Sequence, residues 1–240
     1  IKVVSKCSFD NYFSSDQNKL ACQALLSVCQ NPSSSLNPLY LYGETGSGKT
    51  HLLKAAINYF YKHKPDWKVV YISAREFIPH YNENPADSEK LIELIKIYRE
   101  IDVLLLDDID RLANEENIQT NIFHVYNALM EAGKQIVFAG RLPPLELPQI
   151  SKHLISRFLS GPVIQVSVID DPTRKEILRK IADDFGLKIS ENVINYLLNH
   201  GPRDIGVFEK IIKHISDHSL KEKKEVSVLL VKEVLKGFVV

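Results

Sequence analysis

The stretch Gly43-Glu44-Thr45-Gly46-Ser47-Gly48-Lys49-Thr50 constrains this chain more than any other. It fits the pattern GxxxxGK[ST], and its surroundings fit as well. Leu39 to Tyr42 reads as a short apolar strand before it, and Leu52 to Phe60 continues as a helix after it. Glycines in such a loop let successive backbone N–H groups converge on phosphate oxygens, and the helix N-terminus favours the same anion. Gly43, Glu44, Thr45, Gly46, Ser47 and Gly48 are therefore candidates to cradle phosphate. Lys49 would supply a point positive charge to the β- and γ-phosphates, and Thr50 would coordinate Mg2+.

The rest of the chain reads as a matching α/β pattern. Val69 to Ile72, Val103 to Leu106, Gln135 to Ala139 and Val163 to Val168 are candidate strands. Between them run helical periodicities: Leu20, Ala21, Ala24, Leu25 and Val28; Leu91, Ile92, Ile95 and Tyr98; Ile122, Phe123, Tyr126 and Leu129. Ala74 to His80 and Leu154 to Phe158 are shorter helix candidates. Strands alternating with helices predict a mostly parallel sheet covered on both faces. After residue 168 the pattern becomes wholly helical, with Asp171 as a cap, Pro172 at the first helical position and Ser190 capping the next helix. The expectation is a nucleotide-binding α/β domain over residues 1–168 and a small helical lid domain over 169–240.

Val103-Leu104-Leu105-Leu106-Asp107-Asp108 carries the second chemical signal. A continuous apolar run of this kind is a buried parallel strand, and it delivers two carboxylates at its C-terminal end. Downstream of a phosphate loop, Asp107 is the candidate to hold Mg2+ and Asp108 to orient or polarise the attacking water. The two motifs name a nucleoside triphosphate but neither its base nor its turnover. No guanine-reading NKxD is present, which argues against a GTPase. A small-molecule kinase would leave the helical segment past residue 170 unexplained.

Composition narrows the class further. Of 240 residues, 45% are apolar and 25% charged, as in globular proteins, and enough chain is present for a large core. No run approaches 18 apolar residues, and no basic leader precedes an apolar stretch, so neither a membrane span nor a signal peptide is expected. Cys7, Cys22 and Cys29 form neither a disulfide framework nor a zinc pattern, and a cytoplasmic location is the default. The 30 basic and 30 acidic residues balance, so attraction to nucleic acid has to be local.

A set of further matches carries a family resemblance. These are Phe9-Asp10-Asn11-Tyr12, Asn37-Pro38-Leu39-Tyr40-Leu41-Tyr42-Gly43, Gly48-Lys49-Thr50-His51-Leu52-Leu53 and Asp102 to Ile109. Phe123-His124, Asn127, Gly133-Lys134-Gln135-Ile136-Val137, Pro143-Pro144 and Ser156-Arg157-Phe158 follow. From Phe9 to about Ile212 the chain resembles the AAA+ ATPase modules of the bacterial replication initiator DnaA and its shorter homologue Hda. The resemblance implies an AAA+ fold that binds ATP or ADP with Mg2+ between base and lid. It adds Phe9, Tyr12 and His51 to the nucleotide-binding set, the segment from Phe9 to Asn18 lying against the adenine. It also implies that Arg157 is the arginine finger reaching a neighbouring subunit's γ-phosphate, and that Arg203 is the lid arginine touching phosphate in cis. Both roles suit a guanidinium fork.

The chain departs from the family pattern at three places. Gly140-Arg141-Leu142 stands where Ser-Asp-Arg is usual, so the polar contact called sensor 1 is altered. His153 stands near a further arginine of the family, and Ser15 replaces a usual glycine. The resemblance therefore implies control or initiation of chromosomal replication through nucleotide-dependent assembly, with weak or partner-stimulated ATP hydrolysis. Implied partners are further copies or an initiator on the Arg157 face, single-stranded DNA, and a sliding clamp or helicase. Lys90, Lys96 and Arg99 are candidate DNA contacts, although Glu89, Glu93 and Glu100 interleave with them as on an ordinary helix surface. A helicase-loader-like module and a degenerate ADP-binding scaffold are the alternatives. The chain begins at Ile1, which fits an excised initiator module or a short homologue. The resemblance places no helix-turn-helix domain within these residues, so sequence-specific duplex binding is not expected of them.

Overall fold

The computed structural model describes residues 7–10, 12, 18–33, 35–74, 76, 88–201, 205–222 and 226–237. Its chain divides into two compact units, Ile1–Glu44 with Lys49–Ser167, and Thr45–Gly48 with Val168–Val240.

The first unit is built on five parallel strands: β1 (Leu39–Tyr42), β2 (Val69–Ser73), β3 (Val103–Asp107), β4 (Gln135–Gly140) and β5 (Val163–Gln165). They lie in the order β2-β3-β4-β1-β5. β3 and β4 are buried along their whole length, and apart from Asp107 and Gln135 they read as apolar runs. Alternate residues of each strand serve opposite layers. Leu104, Leu106, Ile136 and Phe138 pack with Tyr98 of α3 (Ser88–Arg99), Ile122 and Leu129 of α4 (Glu116–Glu131), and Leu154 and Phe158 of α5 (Lys152–Phe158). Val103, Leu105, Val137 and Ala139 face Leu25 and Val28 of α1 (Lys19–Gln30) and Leu52, Ala56 and Phe60 of α2 (Lys49–His63). Because β3 and β1 both flank β4, the ends of all three strands share one edge. That edge receives Gly43, Asp107 and Gly140, and such an edge is where ligands bind in open α/β sheets.

β5 is shorter than the run Val163 to Val168 suggests. Val166 still donates to the Tyr42 carbonyl, but Ser167 leaves the ladder. Its N–H donates to Asn18 Oδ1 at 2.6 Å and its carbonyl accepts from Asn18 Nδ2 at 2.9 Å. The buried Asn18 side chain thus takes both backbone groups that a strand partner would have used.

The second unit contains α6 (Asp171–Asp184), α7 (Glu191–His200), α8 (Ile205–Glu222) and α9 (Val228–Lys236). Leu178, Ile194, Leu197, Phe208, Ile211, Ile215 and Val231 form its core. The cap of α6 is Asp170, not Asp171: its extended backbone lets the carboxylate accept from Thr173 N at 2.9 Å. Asp171 is the first helical residue instead and accepts from Arg174 Nη1, so Pro172 moves to the second position. Ser190 occupies the N-cap of α7 without a side-chain bond. Of the helix expected over Ala74 to His80, Ala74 and Glu76 are helical and the remainder lies outside the described residues. Among the described residues no helix is long and apolar enough to cross a membrane.

Asn18→Ala removes both bonds to Ser167 and leaves two part-buried backbone groups unpaired. A loss of about 2 kcal/mol in unfolding free energy is expected in urea titration.

Candidate nucleotide-binding site

The loop after β1 begins with Gly43, whose N–H donates to the Gly140 carbonyl at the end of β4. Gly46 and Gly48 have φ of 83° and 100°, a region closed to most L-residues, so the glycines of the motif are required by this backbone. Lys49 opens α2 and is only 9% exposed. Its Nζ donates to the carbonyls of Gly43 and Glu44, folding the side chain back beneath its own loop. Burial holds its pKa below the usual lysine range, against the raising effect of Asp107, Asp110 and Asp108.

Asp107 ends β3 and is 3% exposed. Its Oδ2 accepts from Thr50 Oγ1 at 2.9 Å and from the Tyr71 hydroxyl at 3.1 Å, and its Oδ1 accepts from Asp108 N at 2.9 Å. Burial pushes its pKa up, and these donors pull it back. Thr50 and Asp107, predicted to share a metal, thus do meet. They are an all-oxygen pair, the chemistry by which Mg2+ is held through one or two protein groups together with substrate phosphates. Asp108 adopts a left-handed backbone (φ 57°), and its Oδ2 accepts from Ser73 Oγ at 2.9 Å.

Asp110 organises the end of β4. Its Oδ2 accepts from Arg141 N at 2.6 Å and its Oδ1 from Leu142 N at 3.2 Å. The fully buried Tyr40 sends its hydroxyl to the Leu142 carbonyl at 3.1 Å. A Cβ on Gly140 would lie 2.7 Å from that hydroxyl, so a larger residue there requires Tyr40 to shift. Tyr71, Ser73, Tyr40 and Asp110 join the site only through the structure. Asp110 alone had a signal, as a third acid two positions beyond Asp108.

The lead-in segment packs on α2. His51 Nε2 lies 3.4 Å from the Ser8 carbonyl, and its ring sits 5.5 Å from that of Tyr12. Phe9 meets Tyr59 edge-on at 6.2 Å, and Asn58 Nδ2 donates to the Cys7 carbonyl. Tyr12 and His51 thereby meet near the start of α2, while Phe9 packs against Tyr59 towards its other end. Arg157 lies on α5, its guanidinium carbon 5.0 Å from the centre of the Phe123 ring and 5.7 Å from that of Tyr126, both on α4. Arg203, Asn11 and Ser15 lie outside the described residues. On α3, Lys96 is exposed and Arg99 pairs with Glu131 at 3.3 Å.

Residues 3–165 match the family model described as the bacterial DnaA ATPase domain, and residues 171–235 match that of the Hda lid domain. The chain belongs to the bacterial DnaA ATPase-domain family. The chromosomal replication initiator protein DnaA of Lactobacillus johnsonii is 35% identical over 235 residues, covering 98% of this chain and 52% of that protein. The chain therefore spans about half the length of this curated relative. Domain III of the Thermotoga maritima initiator DnaA superposes with a TM-score of 0.86 at 31% identity, over 98% of each chain. A DnaA solved bound to AMPPCP and single-stranded DNA gives 0.78 at 31% identity, over 93% of this chain and 70% of that one. The fold of this DnaA-type domain is that of a P-loop AAA+ module with a helical lid.

Gly140→Ala in this domain drives a methyl against the buried Tyr40 hydroxyl. A destabilisation of about 1–3 kcal/mol is expected by thermal or urea unfolding. Adding Tyr40→Phe removes the clashing atom, so the double variant should recover part of the loss. Strictly additive losses would show that the clash is not the cause.

Proposed function

We propose that this chain is an ATP-binding AAA+ module of the DnaA/Hda type, whose nucleotide state governs assembly in the control or initiation of chromosomal replication. The carrying observation is the juxtaposition of Lys49, held under a loop with two left-handed glycines, with the Thr50–Asp107 pair. Residues 1–168 act as the nucleotide-binding base and 169–240 as its lid. AMPPCP bound to a relative supports ATP or ADP as the ligand.

In this reading the backbone from Gly43 to Gly48 and the Lys49 ammonium bind the phosphates, and Phe9, Tyr12 and His51 line the base. Thr50 and Asp107 would hold Mg2+, which when bound would neutralise charge on the phosphates. Asp108 orients the attacking water, and Ser73 fixes its carboxylate. Arg157 completes the site of an adjacent subunit or initiator, and Arg203 touches phosphate from the lid. Hydrolysis of ATP to ADP and phosphate is slow alone and faster with a partner, because the end of β4 presents Gly140 and Arg141 in place of a neutral or acidic polar contact. Single-stranded DNA, bound by a relative, is a further partner. A sliding clamp or helicase fits the same setting.

Purified chain should bind ATP, and Lys49→Ala should weaken that binding at least tenfold in equilibrium titration. Intact ATP binding by Lys49→Ala would overturn the nucleotide reading. Arg157→Ala should bind ATP normally but lose at least tenfold of the turnover stimulated by the initiator or by self-assembly. Undiminished stimulated turnover would remove the arginine-finger role.

A further inference from the structure

The helix that carries Arg157 is too short to hold its own direction. α5 spans seven residues, Lys152–Phe158, about two turns. A helix of that length has few bonds of its own and takes its direction from what it packs on. Here that is one stripe of α4. Gln119, Phe123 and Tyr126 stand at i, i+4 and i+7, hence on the same helix face. Each grips α5 at a different point.

Gln119 holds the start. Its Oε1 accepts from the N–H of Ser151, the N-cap of α5, at 2.8 Å. Phe123 and Tyr126 hold the middle, their ring centres 5.0 and 5.7 Å from the Arg157 guanidinium carbon. The Tyr126 hydroxyl also holds the end, bonding at 2.8 Å to Ser160 Oγ, which donates to the Arg157 carbonyl at 2.6 Å. Two of the three gripping side chains are aromatic. The third is an amide only 2% exposed, and a buried amide is costly unless its polar atoms are bonded. The partners of its other atom show its use. Gln119 Nε2 donates to the Leu112 carbonyl at 2.8 Å and to the Gln149 carbonyl at 2.9 Å. Leu112 ends the 3-10 turn Ile109–Leu112, whose N-cap is Asp108. The Gln149 carbonyl accepts from Asn114 N as well, and both residues have left-handed backbones, with φ of 55° and 65°. Non-glycine residues persist in that region where their surroundings hold them, and here Gln119 does so. The amide thereby pins the start of α5 to the turn that follows Asp108. An apolar side chain of the same shape would fill the space without that tie.

We propose that Gln119 is a positioning residue for Arg157, aligning the finger offered to a neighbouring subunit on the same rigid piece that carries Asp108. The inference rests on the arginine-finger reading of Arg157. Gln119 acts through Ser151, about 9 Å along the helix axis from Arg157. Over that length a small tilt at the helix start becomes an ångström-scale displacement of the guanidinium, enough to cost a large factor in rate.

Subunit mixing tests this. A Lys49→Ala chain lacks the phosphate-binding ammonium but presents Arg157, and an Arg157→Ala chain binds ATP but presents no finger. Mixed, they should hydrolyse Mg-ATP faster than either alone. Gln119→Met keeps the side chain's length and removes its bonds. Placed in the Lys49→Ala chain, it should lower the turnover of the mixture at least about tenfold; placed in the Arg157→Ala chain, no more than about twofold. Gln119→Met alone should bind ATP within about twofold of the parent, with circular dichroism confirming its fold. Ser151→Pro breaks the same bond from the other side, at a φ of −61° that proline accepts, and should reproduce the finger-side loss even where Gln119→Met does not fold. Val125→Ala, a buried change elsewhere on α4, reads out mere loss of stability. Equal losses from both placements, or a finger-side loss as large from Val125→Ala, would overturn the proposal while leaving the finger reading intact. A mixture of Lys49→Ala and Arg157→Ala no faster than its components would remove the finger reading and the proposal with it.

Discussion

An ammonium and a carboxylate are buried at the same edge of one parallel sheet, and the neighbouring structure follows from that constraint. Lys49 and Asp107 are each nearly inaccessible to solvent. Taking either out of water without partners would cost several kcal/mol, so each has to find bonds within the protein. Lys49 finds them in the carbonyls of its own loop, Asp107 in two hydroxyls and the next backbone N–H. Parallel strands make the solution available, because all five end on one side and several loops can converge there. An antiparallel sheet would have sent half of these groups to the opposite edge.

The candidate binding groups and those that brace them are unequally visible in the sequence. Lys49, Thr50, Asp107 and Asp108 could be read directly, because glycine spacing and an apolar run ending in acids are local patterns. The first two β-strand boundaries were legible for the same reason, buried strands being short apolar blocks. The bracing residues were not, since each acts across strand register. Tyr71 and Ser73 lie on β2 and reach Asp107 and Asp108 only because Ser73 pairs with Asp107. Tyr40 and Asp110 meet the loop after β4 from other elements, and nothing in their own neighbourhoods announces it. The end of β5 is hidden from the sequence for a related reason. Val163 to Val168 stays largely apolar, but a side chain 149 residues away closes the strand at Ser167. The cap of α6 falls one residue before the one the sequence suggests, because Asp170 and Asp171 are equally good acceptors by residue type. Backbone geometry, extended at Asp170, decides between them.

The two families of cation in this chain are held in contrasting ways, and the contrast bears on what each does. Arg174 is buried, pairs with Asp171 and lies over Phe208, so it is consumed within its own unit. Arg99 pairs with Glu131 on an open surface, a contact that contributes little and is screened by salt. Arg157 and Arg141 follow neither pattern. Arg157 is oriented by the faces of Phe123 and Tyr126, which attract a guanidinium without cancelling its charge. For Arg141 it is the backbone that is fixed, its N–H donating to Asp110, while the side chain is exposed. Held against aromatic faces, a guanidinium gains a fixed direction while keeping its charge. A carboxylate partner would give the first and remove the second, and free solvation would do the reverse. In a chain whose total charge is zero, attraction to a polyanion has to come from local cations rather than from the surface at large.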